Sequence, residues 1–194
     1  MSRGSIRTPS SATPFLLRRT ETPVPAQAPP ARRVLGIDPG LAVTGYGVVE
    51  PRGSGGTLLH SGALRQRSTV SRADRLARIF DCVRGLILEF HPDEVAIEQQ
   101  FVAENVKSAM AIGEARAAAM VAAATSGLPV FEYTPSAVKE SVCGHGGAPK
   151  EQVQQMVLIH LGLTELAGPL DITDAIAIAL TRLADARLEE AMAR

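Results

Sequence analysis

The stretch from Val34 to Val49, V-L-G-I-D-P-G-L-A-V-T-G-Y-G-V-V, constrains the fold more than any other part of the chain. An apolar run from Val34 to Ile37 stops at Asp38, turns over Pro39-Gly40 and resumes as a second apolar run after Thr44. That pattern reads as a β-hairpin with an aspartate at the end of its first strand. Pro39 cannot donate to a ladder, and Gly40, Gly45 and Gly47 leave room for another molecule's backbone to come close. An aspartate beside side-chain-poor backbone suits a cation-mediated phosphate site. The plainer alternative is a turn aspartate that accepts its own backbone amides.

Around this hairpin the chain alternates strand and helix patterns. Strands are expected at 34–38, 43–50 and 57–65, which makes an antiparallel meander. Ser71 caps a helix whose apolar positions Leu76, Ile79, Phe80, Val83, Ile87 and Phe90 recur at helical spacing. Arg72, Arg75 and Arg78 lie on its other flank, as a solvated face or, alternatively, one turned toward phosphates. The run from Pro92 to Glu98 is a short buried strand ending in a glutamate. An Ala-rich helix follows over roughly 104–125, either deeply buried or a subunit interface. Residues 130–133 give a fifth strand, helices follow at 135–142 and 149–161, and Asp171-Ile172-Thr173-Asp174 opens a last helix from Ala175 to about Ala191. Three meandering strands feeding two β-α-β crossovers give one five-stranded mixed α/β sheet with helices on both faces. That is the plan of the ribonuclease H-like fold.

Composition bounds the rest. The 194 residues fit one domain with a tail, and 45% hydrophobic content supplies a core. Residues 1–33 hold six prolines and six arginines against the single acid Glu21, and read as a disordered extension ahead of a domain over 34–194. An organellar transit peptide and an auxiliary DNA-binding arm are the functional readings of that tail. There is no run of 18 apolar residues, so no membrane span is expected. Cys82 and Cys143 offer neither a disulfide framework nor metal-ligand spacing, which points to a reducing compartment, the cytoplasm. Net charge is zero, yet the tail carries +5 and residues 34–194 carry −5. So acidic a domain binds DNA only if its carboxylates gather around cations and its basic groups collect on one face.

The carboxylates are the chemistry-bearing set. Asp38 and Glu98 end strands, and ligands collect at the carboxyl ends of neighbouring parallel strands. Asp171 and Asp174 share a face at a helix start, where Asp171 as N-cap and Asp174 at the positive helix end are the structural alternatives. An oxygen-rich, histidine-free set suits Mg²⁺ or Mn²⁺. Two such ions about 3.5–4 Å apart serve phosphodiester hydrolysis.

The motifs Leu35-Gly36-Ile37-Asp38-Pro39-Gly40, Thr44-Gly45-Tyr46-Gly47-Val48, Ala96-Ile97-Glu98-Gln99 with Phe101, Pro129-Val130-Phe131-Glu132-Tyr133 and Asp171-Ile172-Thr173-Asp174-Ala175 stand in one order. With them, residues 34 to about 185 resemble the bacterial Holliday-junction resolvase family RuvC. The resemblance implies that Asp38, Glu98, Asp171 and Asp174 are a catalytic, metal-binding tetrad. Each subunit would take two Mg²⁺, with Mn²⁺ able to substitute. It also implies a homodimer that makes paired symmetric nicks in four-way junction DNA, leaving 5′-phosphate and 3′-hydroxyl ends, alongside the branch-migration complex RuvA-RuvB. Phe101 matches an aromatic that stacks on bases, worth about 1–3 kcal/mol for an exposed ring. Lys139 and Lys150, two of only three lysines beside 17 arginines, match DNA-contacting positions. Asn105, Ser108, Tyr133 and Thr134 fall near the expected DNA path, and the Ala-rich helix would be the dimer interface.

Glu104 departs from the pattern where relatives often carry a basic residue, and His145 has no assigned role. Three rivals compete with this reading. A YqgF-type nuclease lacks the series from Phe101 to Lys150, actin-like ATPases and sugar kinases need a second such domain, and a silent junction-binding scaffold has no use for an intact tetrad.

Overall fold

Two short apolar runs take the centre of the sheet. β1 (Val34–Asp38) and β4 (Glu94–Glu98) are each buried over their first four residues and end on a half-buried acid. They pair in parallel, from Val34 opposite Glu94 to Ile37 opposite Ile97. Strands covered on both faces must be apolar almost throughout, which is how both runs read. β2 (Val43–Arg52) returns antiparallel to β1, β3 (Gly55–Arg65) is antiparallel to β2, and β5 (Val130–Tyr133) is parallel to β4. The order β3-β2-β1-β4-β5 in this computed structural model, which describes residues 33–99 and 106–193, is the expected five-stranded mixed sheet. The β2–β3 turn is tighter than expected, because the ladder continues through Pro51 opposite Gly56 and Arg52 opposite Gly55.

Alternation along the strands divides the helices between two faces. Leu35, Ile37, Val48, Val95 and Ile97 pack under α1 (Arg72–Phe90) and α2 (Val106–Thr125). Val34, Val49 and Ala96 pack under α3 (Pro135–Cys143), α4 (Lys150–Leu161) and α5 (Leu170–Met192). Local signals set the helix ends. Ser71 Oγ accepts from the Asp74 amide and Thr134 Oγ1 from the Ala137 amide, while Gly144 and Gly162 close α3 and α4 in the left-handed region. Among the described residues no helix is long and apolar enough to cross a membrane.

Two expectations need correction. Gly45 and Gly47 do not make space for a foreign backbone; with Gly36 they seat this chain's own α5. A Cβ at Gly36 would stand 2.1 Å from Ala175 O, one at Gly45 2.0 Å from Asp171 O, and one at Gly47 2.6 Å from Ile176 Cγ1. Bare backbone on the sheet against Ala175 and Ala179 on the helix lets α5 approach closely. Asp171 is also not the N-cap. α5 begins at Leu170 with Pro169 in the cap position, so Asp171 is the second residue of the helix.

A buried ion pair ties α5 to the far end of the sheet. Arg182 donates to Glu94 at 2.6 and 3.0 Å, reaches Glu189, and lies 3.7 Å over the Phe131 ring. Arg33 fastens the start of the domain by donating to Asp93 through its amide and to Glu50 through Nε. Of the extension expected over residues 1–33, residues 1–32 lie outside the described residues, while Arg33 is bonded to the domain.

Candidate active site

The acids reach one place by two routes. In the register of β1 and β4, Ile37 stands opposite Ile97, so Asp38 and Glu98 follow as the last residues of adjacent parallel strands. Alternation puts Leu35 and Ile37 under α1 and α2, which turns Asp38 to the α5 side; Ala96 and Glu98 lie on that side too. On the same side, the backbone of Asp171 rests on Gly45, the direct cross-strand partner of Asp38. Asp174 follows one turn later. The glycine seat thus positions the helix acids beside the strand acids.

The acids act on one another electrostatically. Burial pushes the Asp38 carboxyl up to about 7, and Glu98, Asp174 and Asp171 push in the same direction; Lys150 opposes them. Asp174 is also raised, first by burial and then by Asp171, against the pull of Lys150 and Lys139. Lys150 Nζ lies 3.8 Å from Asp174 Oδ2. Both lysines singled out in the sequence therefore face the acid cluster, from α3 and from the first position of α4. Among the described residues, no three acid, histidine or cysteine side chains already stand as a formed metal-ligand group. The donor set is nonetheless all carboxylate, and its mutual repulsion is what a hard cation relieves.

Beside the acids lies a cleft of about 590 Å³, with Asp171 in its lining. The turn from Gly40 to Val43 forms one wall, Ser108, Ala111 and Ile112 of α2 another, and Arg72 and Arg75 of α1 the end. Sequence spacing put three arginines on one flank of α1; the structure turns Arg72 and Arg75 into the cleft, and Arg78 is not in its lining. Periodicity alone carries no such distinction.

Other candidates fall differently. Phe101, Asn105 and Glu104 lie outside the described residues. The Tyr133 hydroxyl donates to Asp185 at 2.8 Å and Thr134 caps α3, so both have structural work. His145 is exposed in the loop after α3.

The family model described as crossover junction endodeoxyribonuclease RuvC matches residues 34–182. The chain belongs to the RuvC family. RuvC of Trichlorobacter lovleyi is 50% identical over 151 residues, 78% of this chain and 84% of that protein. RuvC of Pelobacter propionicus is 48% identical over 151 residues, 78% and 85% of the two chains. Thermus thermophilus RuvC, solved in complex with a Holliday junction substrate, superposes with a TM-score of 0.78 at 39% identity, over 81% of this chain and 96% of that one. The yeast mitochondrial Holliday junction resolvase has the same fold at 12% identity, with a TM-score of 0.63 over 84% and 82% of the two chains. The ribonuclease H-like architecture expected from element order is thus the RuvC architecture, and the chain is a RuvC-type endodeoxyribonuclease.

Proposed function

We propose that this chain is a Holliday junction resolvase, a metal-dependent endonuclease that makes paired, symmetric nicks in four-way DNA junctions during recombination and repair. The observation that carries the reading is the convergence of Asp38, Glu98, Asp171 and Asp174 at one end of the sheet in a RuvC-family chain. These four carboxylates would hold the divalent cations, two Mg²⁺ per subunit with Mn²⁺ as a substitute, because hard cations favour oxygen-only donors. Bound there, such cations would neutralise the phosphodiester and make water a better nucleophile; attack that breaks the bond between phosphorus and the 3′ oxygen leaves 5′-phosphate and 3′-hydroxyl ends.

The chain's own side chains do the rest. Asp38 and Glu98 are fixed by the two central strands and Asp171 and Asp174 by α5, so the donor set needs little reorganisation beyond side-chain rotation. Lys139 and Lys150 lie beside the acids and take DNA phosphates, which position the strand. Phe101 stacks on a base near the junction centre, and Asn105 contacts DNA alongside it. Recognition rests mainly on junction shape and phosphates.

The active unit is a homodimer. Val106, Met110 and Val121 are exposed on α2 while Ala115, Ala119, Ala122 and Ala123 face inward, so α2 offers an apolar outer side to a second copy. A two-fold dimer matches the near two-fold symmetry of a junction. Residues 34–194 form the nuclease domain, residues 1–33 an extension to it, and the enzyme works in the cytoplasm beside RuvA-RuvB.

An Asp38→Asn variant separates cleavage from binding. Junction cleavage falls by roughly a thousandfold, the several kcal/mol that a cation clamp contributes, while gel-shift affinity for the junction stays near wild type. Cleavage at the wild-type rate contradicts the assignment of Asp38. If wild-type protein binds the junction tightly but does not cleave it with Mg²⁺ or Mn²⁺, the chain is a scaffold.

A further inference from the structure

We infer that the cleft ended by Arg72 and Arg75 is a second phosphate site, which holds the backbone of the DNA strand as it continues past the acid cluster. The inference rests on the resolvase reading and extends it to residues outside the tetrad and outside the two lysines.

Three observations converge. The cleft is continuous with the acids, since Asp171 lines it. Its charged end comes from α1, whereas Lys139 and Lys150 approach the acids from α3 and α4 on the other face of the sheet. The acids therefore stand between two cationic flanks, and a polyanion held on one flank is drawn toward the other. Finally, the two arginines differ in occupancy. Arg72 is ion-paired with Glu114 of α2. Arg75 makes no ion pair among the described residues, and its buried Nε–H finds no acceptor. A guanidinium that lines a cleft without an ion pair has its charge free for an anion, such as a phosphate. The α1 backbone here is held in place, because Gln66 bonds both the Arg75 carbonyl and the Ala42 carbonyl of the hairpin turn. The Arg75 backbone is thereby held against the β1–β2 turn that follows Asp38.

The test is binding of a fixed four-way junction by the full chain in EDTA, where no cleavage occurs, across a salt series. Each phosphate contact adds about 0.7–0.9 to the slope of log affinity against log salt. Arg75→Gln is expected to weaken binding by about tenfold and to reduce that slope by about 1, with metal-free thermal unfolding close to wild type. Arg75→Lys keeps the slope because it keeps the charge. Arg78→Gln, on the same helix outside the cleft lining, leaves slope and affinity unchanged. Ala42→Glu, at an exposed position on the cleft rim, weakens binding without touching α1, so the inference survives a fold defect in Arg75→Gln. A wild-type slope in Arg75→Gln, or an equal loss in Arg78→Gln, overturns the cleft site. Wild-type protein that prefers the junction no more than a duplex counts against the resolvase reading instead.

Discussion

Asp38, proposed above as a metal ligand, carries a cost in stability. Its carboxyl titrates near 7 because burial disfavours the charge and three further acids repel it. The folded protein therefore keeps a proton that the unfolded chain, with an ordinary aspartate near 3.8, has released. Stability falls as pH rises from about 4 to 7, and the full penalty remains above 7. In the metal-free protein, Asp38→Asn is expected to raise Tm at pH 8 by about 4–8 °C, on the order of 2 kcal/mol, and to change it little at pH 4.5. Calorimetry of both proteins at the two pH values checks this. An equal gain at both, or a loss at pH 8, means that Asp38 is not the repelled, buried member of the cluster. Residue chemistry was also where the sequence was most legible, since an apolar run ending in an acid is visible in one dimension. The guanidinium network of Arg182 was not, because Glu94 lies 88 residues away and nothing local marks the pair.

At the scale of elements, the placing of the helix acids beside the strand acids depends on how closely α5 approaches the sheet. Strand order, helix order and the cap at Ser71 follow from periodicity and turn chemistry. The role of the glycines does not. In sequence, Gly45 and Gly47 look like space for a ligand; in three dimensions α5 fills that space and presents Asp171. A glycine signals close approach without saying of what. Gly45→Ala forces a Cβ against the Asp171 carbonyl, so the helix start must move. The expected result is a loss of about 1–3 kcal/mol in stability and roughly a hundredfold loss of cleavage, because the acid is displaced. Gly85→Ala on the exposed side of α1 meets nothing within 4 Å and is expected to stabilise by about 0.5–1 kcal/mol. Urea unfolding beside junction cleavage reads both effects. Full activity in a stably folded Gly45→Ala protein contradicts the seating role.

The whole molecule distributes charge in a way that net charge conceals. Residues 34–194 sum to −5, yet four of the acids converge at the carboxyl end of the sheet, with lysines on one flank and arginines of α1 on the other. Net charge alone argues against a nucleic-acid binder; the folded arrangement gathers acids at one place with basic side chains on either side. The strand-end acids Asp38 and Glu98 are legible in sequence order, whereas Lys139, in the middle of α3, and Lys150 are picked out only by the family resemblance. The cleft eluded it because its walls come from the hairpin turn, α1 and α2, which only the packed sheet brings together. The most direct test of the account is cleavage of a synthetic, fixed four-way junction against a linear duplex of matching sequence, with and without Mg²⁺, resolved strand by strand. Metal-dependent nicks at symmetric positions on two opposed strands, on the junction alone, are the predicted result. Equal cleavage of duplex and junction, or nicks without symmetric pairing, would contradict a resolvase.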